Sequence, residues 1–337
     1  MVTKVLHHSD VALWVQQYGV EKCIKEVMDR LKLDYGRWSE FKRTPRQALY
    51  FPHGVIESMP ISDDEWYACK LVNGHPDNPS KGLLSIYALG ALLSVETGRV
   101  HLLSEMTLLT AIRTAAMSAL FASLCKIKKP IKLGVIGAGA QSEFQLLGLD
   151  QVLTIDRVMV YDVDPKTVGK LTRNLGFKPW PIESLSQVEP LVESCDVIVT
   201  STAIKQRVDV LGSASLRSDQ VVIALGGDCP GKTELDVMRL IGARIVVPCI
   251  KQAGVEGEIQ QLRGENDNVK EIHECLDGSW LHSSDTLRIF DSVGYALEDY
   301  AVLRWMNDHH AEASSEPFHP ELDDPKNLFA SIRKASE

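Results

Sequence analysis

The sequence predicts an α/β protein, with a doubly wound parallel domain at 128–307 preceded by an α+β domain at 1–127. Three observations point there. After Lys126-Ile127-Lys128-Lys129-Pro130 the text alternates short apolar runs with helix-length segments. Between Arg46 and Val100 the apolar runs are instead short and broken by turn residues. The first apolar run of the second half ends in a glycine turn, Gly137-Ala138-Gly139. At 337 residues the chain is long enough for two cores.

Taken in order, Val11–Lys32 carries apolar residues at helical spacing, so the chain opens with one or two helices. Gly54, Pro60, Gly74, Pro76, Pro79, Gly82 and Gly98 then punctuate short strands, the pattern of an antiparallel sheet. Met106–Leu124 is helical again, with Arg113 set among small and apolar residues. Lys132–Ile136, Arg157–Tyr161, Val197–Ser201, Gln220–Leu225 and Arg244–Val247 read as buried parallel strands, and Ala296–Asn307 as a last helix. The Pro- and Asp-rich stretch Pro317–Asp324 follows, and the segment 308–337 is expected to pack back on the first domain.

Composition narrows the function. A net charge of −9 disfavours nonspecific binding to nucleic acid or an anionic membrane. The opening residues lack a signal peptide's apolar core, and the apolar stretches around Leu83–Val95 and Ala115–Cys125 are too short or interrupted to span a bilayer. Seven cysteines are scattered singly, which suits buried thiols in a reducing compartment, and a cytoplasmic location is expected. No residue spacing suggests a metal site.

The glycine turn sits at a strand-to-helix junction. Gly137 permits the tight turn, and Gly139 lets backbone N–H groups approach a pyrophosphate at the helix N-terminus. Ser142 replaces the third glycine of the usual fingerprint. About 25 residues after Gly137 the next strand ends in Tyr161-Asp162, where an acidic side chain binds the adenosine ribose. Asp162 and Asp164 together would repel a 2′-phosphate, so NAD is favoured over NADP; capping the following helix is the plain alternative for Asp162. Gly137, Ala138, Gly139, Ala140, Gln141 and Asp162 are the candidate cofactor residues, with Ser201 at the end of a neighbouring strand. This makes the second domain a Rossmann-type dinucleotide-binding one.

Gly226–Thr233 matches the pattern of a phosphate-binding P-loop but not its physics. Pro230 has no N–H to donate, and Asp228 sets a negative charge inside the loop. Ligands of doubly wound sheets gather beyond the carboxyl ends of the strands, so Asp228 becomes a candidate acid/base near the nicotinamide.

In the first half, Arg46, Lys70 and Arg113 lie on apolar segments. A buried cation needs an anionic partner, and an amino-acid carboxylate would serve. Solvation or internal pairing is an equal alternative for each alone. Glu57 faces a substrate ammonium, an attacking water or Arg46. His75 is a turn histidine with a structural reading, and His309-His310 reads as solvated.

Together these segments resemble the ornithine cyclodeaminase/mu-crystallin family. The likeness runs through Glu57-Ser58-Met59-Pro60, Lys70–Pro76, Ser104-Glu105, Ala111–Ala116, Gly137–Gln145, Gly226–Leu235, Glu256–Leu262 and Phe290–Tyr300, with Asp323–Lys326 in the tail. It spans nearly the whole chain, and the Asn73–Pro76 and Gly226–Leu235 segments look most like the ornithine-specific branch. The resemblance implies a homodimer whose first domain supplies the dimer sheet and much of the substrate pocket. It also implies a tightly held NAD that is recycled within one turnover. By motif, Arg46, Lys70 and Arg113 would bind the substrate carboxylate and Glu57 would lie near the amino groups. Asp228 would be the acid/base, and Val293 and Gly294 would lie along substrate and nicotinamide. The implied reaction converts L-ornithine to L-proline and ammonia, a step of proline biosynthesis. The rivals are a lysine cyclodeaminase, an NAD-dependent amino-acid dehydrogenase or cyclic-imine reductase, and a non-catalytic cofactor-binding protein of the crystallin kind.

Overall fold

The computed structural model describes residues 3–204, 206–264, 266–283, 285–309 and 326. The expected return of 308–337 onto the first domain, and the Pro317–Asp324 stretch, fall outside them apart from 308, 309 and 326.

The first half builds a seven-stranded sheet from β1 (Lys4–Leu6), β2 (Lys42–Arg43), β3 (Gln47–Phe51), β4 (Gly54–Ser62), β5 (Trp66–Gly74), β6 (Ala88–Ser94) and β7 (Val100–Glu105). The order is β1-β7-β6-β5-β4-β2, with β3 also on β4. All pairs are antiparallel except β1 with β7. Pro60, expected to end a strand, lies inside β4. It sits between the rows paired by β3 (to Ser58) and β2 (from Ile61), where its missing N–H breaks no ladder. Two helices precede β2, α1 (His8–Tyr18) and α2 (Val20–Gly36), and α3 (Thr107–Leu124) follows β7.

The second half alternates β8 (Ile131–Ile136), α4 (Ser142–Asp150), β9 (Ile155–Tyr161), α5 (Pro165–Asn174), β10 (Ile182–Ser184), α6 (Glu189–Ser194), β11 (Val197–Thr200), β12 (Val221–Ala224), α7 (Val237–Leu240), β13 (Arg244–Val247), α8 (Ile250–Glu256), β14 (Val269–Glu271) and β15 (Arg288–Asp291). Its eight strands are all parallel, in the order β10-β9-β8-β11-β12-β15-β13-β14. The order reverses between β8 and β11, and that switch point opens a crevice at the strands' carboxyl ends. The five strands read from sequence are present, while β10, β14 and the central β15 were not foreseen.

One core joins the halves. α3 is long and apolar enough to cross a membrane by composition, but most of it is buried inside the protein. Its small residues let α4 approach so closely that a Cβ at Gly148 would sit 2.8 Å from the Ala115 carbonyl oxygen. The last helix, α9 (Ala296–His309), follows the parallel sheet in sequence. It packs against β4–β7, α2 and α3 of the first half, so its partner layer differs from its sequence neighbours. That placement brings Glu298 and Asp299 beneath the antiparallel sheet. His309, read from sequence as solvated, is packed against Trp305 and Trp14 and lies 3.2 Å from Glu26; His310 is outside the described residues. All seven cysteines are free, five of them buried, with Cys69 and Cys229 partly exposed.

Candidate active site

At the end of β8, Gly137 adopts φ +95°, and a Cβ there would meet the Ser201 carbonyl oxygen at 2.6 Å. Only glycine fits that turn. A Cβ at Gly139 would meet nothing within 4 Å, so the backbone of the turn faces open space ahead of α4. Ser142 begins α4, and its hydroxyl donates to the Gly139 carbonyl at 2.7 Å, which makes serine a local brace where a third glycine was expected. Asp162 accepts the Ala138 N–H at 2.6 Å and the Asp164 N–H at 2.8 Å. The helix cap offered as its alternative role falls instead to Asp164, which accepts from Lys166 N–H. Ser201 donates to the Gly137 carbonyl at 3.0 Å, and the buried Gln141 side-chain oxygen has no hydrogen-bond partner among the described residues. An open glycine turn, a helix N-terminus and an acidic residue at the end of the second strand fit the pyrophosphate and ribose of a dinucleotide.

The three cations of the first half converge. Arg46 reaches from the loop before β3, and its Nη1 lies 3.1 Å from Glu57 on β4 and 2.9 Å from Glu256 on α8. Its Nη2 donates to the Gly294 carbonyl. Arg113 on α3 also touches Gly294, since a Cβ there would fall 2.7 Å from its Nη2. Arg113 Nη1 pairs with Glu298 at 2.5 Å, and its Nε lies 3.4 Å from Asp299. Lys70 on β5 pairs with the same Asp299 at 2.8 Å. Gly294 therefore joins Arg46 to Arg113, and Asp299 joins Arg113 to Lys70. Val293 beside them is buried. Among the described residues the buried Nε atoms of Arg46 and Arg113 and the Asp299 Oδ2 make no hydrogen bond, Arg113 Nε having only its 3.4 Å ion-pair contact to Asp299 Oδ1. Buried guanidinium N–H groups that lack a hydrogen-bond acceptor suit an anionic ligand.

Burial sets the electrostatics. It pulls the Lys70 ammonium down to about 8, against the pull of Asp299. It pushes Glu256 and Glu298 up to about 7, with Arg46 and Arg113 respectively opposing the rise.

Asp228 stands on the loop after β12, half-exposed, with Lys232 2.9 Å away. The loop is stitched by carboxylates rather than by phosphate. Glu234 accepts from the Gly226 N–H at 2.8 Å, the Thr200 hydroxyl at 2.6 Å and the Thr202 hydroxyl at 2.6 Å. Glu258 accepts the N–H groups of Glu234 and Leu235, and Asp291 accepts that of Ile259. Gly226 and Gly227 are needed because a Cβ on either would run into the carboxylate of Glu234 or Glu258. His75 is held in its turn by Asn73 at 2.8 Å.

Sequence reasoning missed Glu234, Glu256, Glu258, Asp291, Glu298 and Asp299. Polar residues on short elements look solvated until the sheet ends are assembled. The available signal was the resemblance, whose segments Gly226–Leu235, Glu256–Leu262 and Phe290–Tyr300 contain all six.

A profile of the ornithine cyclodeaminase/mu-crystallin family matches residues 8–314. The chain belongs to this family. Among its members, an ornithine cyclodeaminase of Brucella suis biovar 1 is 42% identical over 296 residues, covering 87% of this chain and 82% of that one. A lysine cyclodeaminase, solved to explain its recognition of L-lysine, L-ornithine and L-2,4-diaminobutyric acid, superposes with a TM-score of 0.90. It is 30% identical, covering 98% of this chain and 99% of that one. An archaeal alanine dehydrogenase dimer with bound NAD gives 0.85 at 30% identity, covering 95% of this chain and 100% of that one.

Proposed function

We propose that this chain is an NAD-dependent ornithine cyclodeaminase that converts L-ornithine to L-proline and ammonia. The convergence of Arg46, Lys70 and Arg113 through Gly294 and Asp299, with two guanidinium Nε atoms making no hydrogen bond among the described residues, carries the reading. Three cations on one spot suit the α-carboxylate of an amino acid. Glu57 and Asp228 suit its ammonium groups. The relative named ornithine cyclodeaminase and the NAD-bound neighbour agree with both halves of the assignment.

Gly137, Ala138, Gly139, Ala140 and Gln141 would hold the pyrophosphate and Asp162 the ribose, with Ser201 and Gly294 toward the nicotinamide. Bound NAD would supply reversible hydride transfer at the substrate's Cα, with no net oxidation over a turnover. The protein's own work is positioning and proton transfer. Arg46, Lys70 and Arg113 fix the carboxylate and thereby the direction of Cα–H, and Val293 closes the apolar side. Asp228 takes a proton from the distal ammonium, freeing that nitrogen to attack the iminium carbon. Lys232 Nζ donates to the Asp228 carboxylate at 2.9 Å and orients it for this step.

Lysine is the second reading, because the neighbour at TM-score 0.90 is described with both lysine and ornithine. One methylene separates them, worth roughly 1–3 kcal/mol in a pocket.

A homodimer is part of the proposal. The outer face of the first sheet exposes Leu49, Ile56, Leu71 and Leu89, an apolar patch that a second copy would cover. Seven free cysteines suit a reducing, cytoplasmic setting. The test is direct: purified protein with NAD and ornithine should release ammonia and proline in equal amounts with no net rise in NADH. Accumulating NADH would indicate a dehydrogenase, and NAD binding without ammonia from either diamino acid a binding protein.

A further inference from the structure

Resting on the cyclodeaminase reading, proton bookkeeping exposes a gap. The substrate enters with two ammonium groups. The α-nitrogen must lose a proton before Cα–H can leave as hydride, because only its freed lone pair can form the iminium. The distal nitrogen must lose another before it can attack. Asp228 accounts for one of these protons.

Glu256 has the position for the other. It ends α8 almost wholly buried, and its Oε2 takes both of its contacts, from Arg46 Nη1 at 2.9 Å and Gln252 Nε2 at 2.6 Å. Among the described residues its Oε1 has no hydrogen-bond partner. Glu57, on the same guanidinium nitrogen, has both oxygens engaged at 3.1 Å. Lys70 is held by Asp299 in its protonated role. Because Arg46 holds the α-carboxylate in this reading, a carboxylate lying on Arg46 stands beside the α-ammonium, which is bonded to the same carbon.

We propose that Glu256 is the second base, its Oε1 accepting the proton of the α-ammonium before hydride departs. The N–H bond breaks with its pair left on nitrogen, and an O–H bond forms on Glu256. Both protons return: Glu256 gives its own to the departing ammonia, making ammonium, and Asp228 protonates the ring nitrogen of the product. The sum is ornithine cation to proline zwitterion plus ammonium, with no proton drawn from solvent. Glu256 faces Arg46 and Tyr50 from the β3 region, Glu57 from β4, and Asp228 and Cys229 from the loop after β12. Burial holds its carboxyl up at about 7, so it exchanges protons in the neutral range.

The test compares wild type, E256Q and E256D in ammonia release across pH, with product proline and NAD affinities measured by calorimetry. Gln keeps an acceptor for Arg46 but takes no proton. The expected result for E256Q is a kcat at least about 100-fold lower, the fall in kcat/KM below about pH 7 abolished, and proline and NAD affinities within about threefold of wild type. E256D should keep that acidic fall. An E256Q enzyme with near wild-type kcat and an unchanged acidic fall would overturn the proposal. So would an E256D enzyme without the fall, a comparison that stands even if E256Q does not fold. Wild type releasing no ammonia from either diamino acid would instead bring down the cyclodeaminase reading itself.

Discussion

Lys70 Nζ on β5 lies 2.8 Å from Asp299 Oδ1 on α9, with both side chains almost completely buried. The chain's last described helix thus returns to its first sheet to hold a cation in the proposed substrate pocket. Burial has brought that ammonium down to about 8, with Asp299 opposing the fall. The charged form binds a carboxylate, so KM for ornithine should rise as pH climbs above about 8. D299N removes the group that raises the pKa, so the rise should begin at lower pH. Steady-state kinetics across pH reads the shift. Denaturant unfolding should show D299N destabilised by about 3–5 kcal/mol, the cost of leaving one partner of a buried pair uncompensated.

Gly226 lies against the Glu234 carboxylate, with no room for a Cβ, and its N–H donates to that carboxylate at 2.8 Å. G226A should push the Asp228 loop off its anchor while leaving the Gly137 turn intact. A stability loss of about 1–3 kcal/mol is expected by denaturant unfolding, with ammonia release falling further than NAD affinity. An alanine variant with wild-type turnover would mean the loop's seat does not position Asp228.

Four buried carboxyl groups have folded-state values far above those of an unfolded chain. Burial pushes Glu258 up to about 8, and Glu256, Asp291 and Glu298 up to about 7. Unfolded carboxyls titrate near about 4. Between about pH 4 and 8 the folded chain therefore binds more protons than the unfolded one. The contribution of these groups to stability is present at the acidic end of that window and lost as pH rises through their folded values. The thermal midpoint should be higher at about pH 6 than at about pH 8.5, and E258Q should flatten the difference.

The apolar outer face of the first sheet gives a separate test. Leu71 and Leu89 face each other across β5 and β6, and both are about half exposed in the single chain. L71D should weaken self-association at least about tenfold in sedimentation equilibrium without unfolding the protomer. An unchanged dimer would place the interface elsewhere.

How much of this was legible in the sequence depended on how locally each feature is encoded. The runs at 132–136, 197–201 and 220–225 are buried on both faces, so continuous apolarity marked them. Arg288–Asp291 is just as central, but charged residues stand at both its ends. Arg288 is buried because carbonyl groups of Asp219 and Lys126 accept from it, which no window around 288 reveals. Helical periodicity found α9 but said nothing about which sheet it packs on, so the partners of Lys70 and Arg113 stayed hidden. The glycine turn and Asp162 were readable because the fingerprint is local in sequence. Glu234, Glu256 and Glu258 were not, since their meaning lies in backbone N–H groups and a guanidinium from distant segments.

The most direct measurement follows the hydrogen at Cα. With L-[2-²H]ornithine in ordinary water, an enzyme that removes and returns the same hydride should yield proline carrying deuterium at C2, with one ammonia per proline. Mass spectrometry of the product reads this at once. Proline formed without deuterium, or deuterium found in accumulated NADH with no proline, would contradict the account.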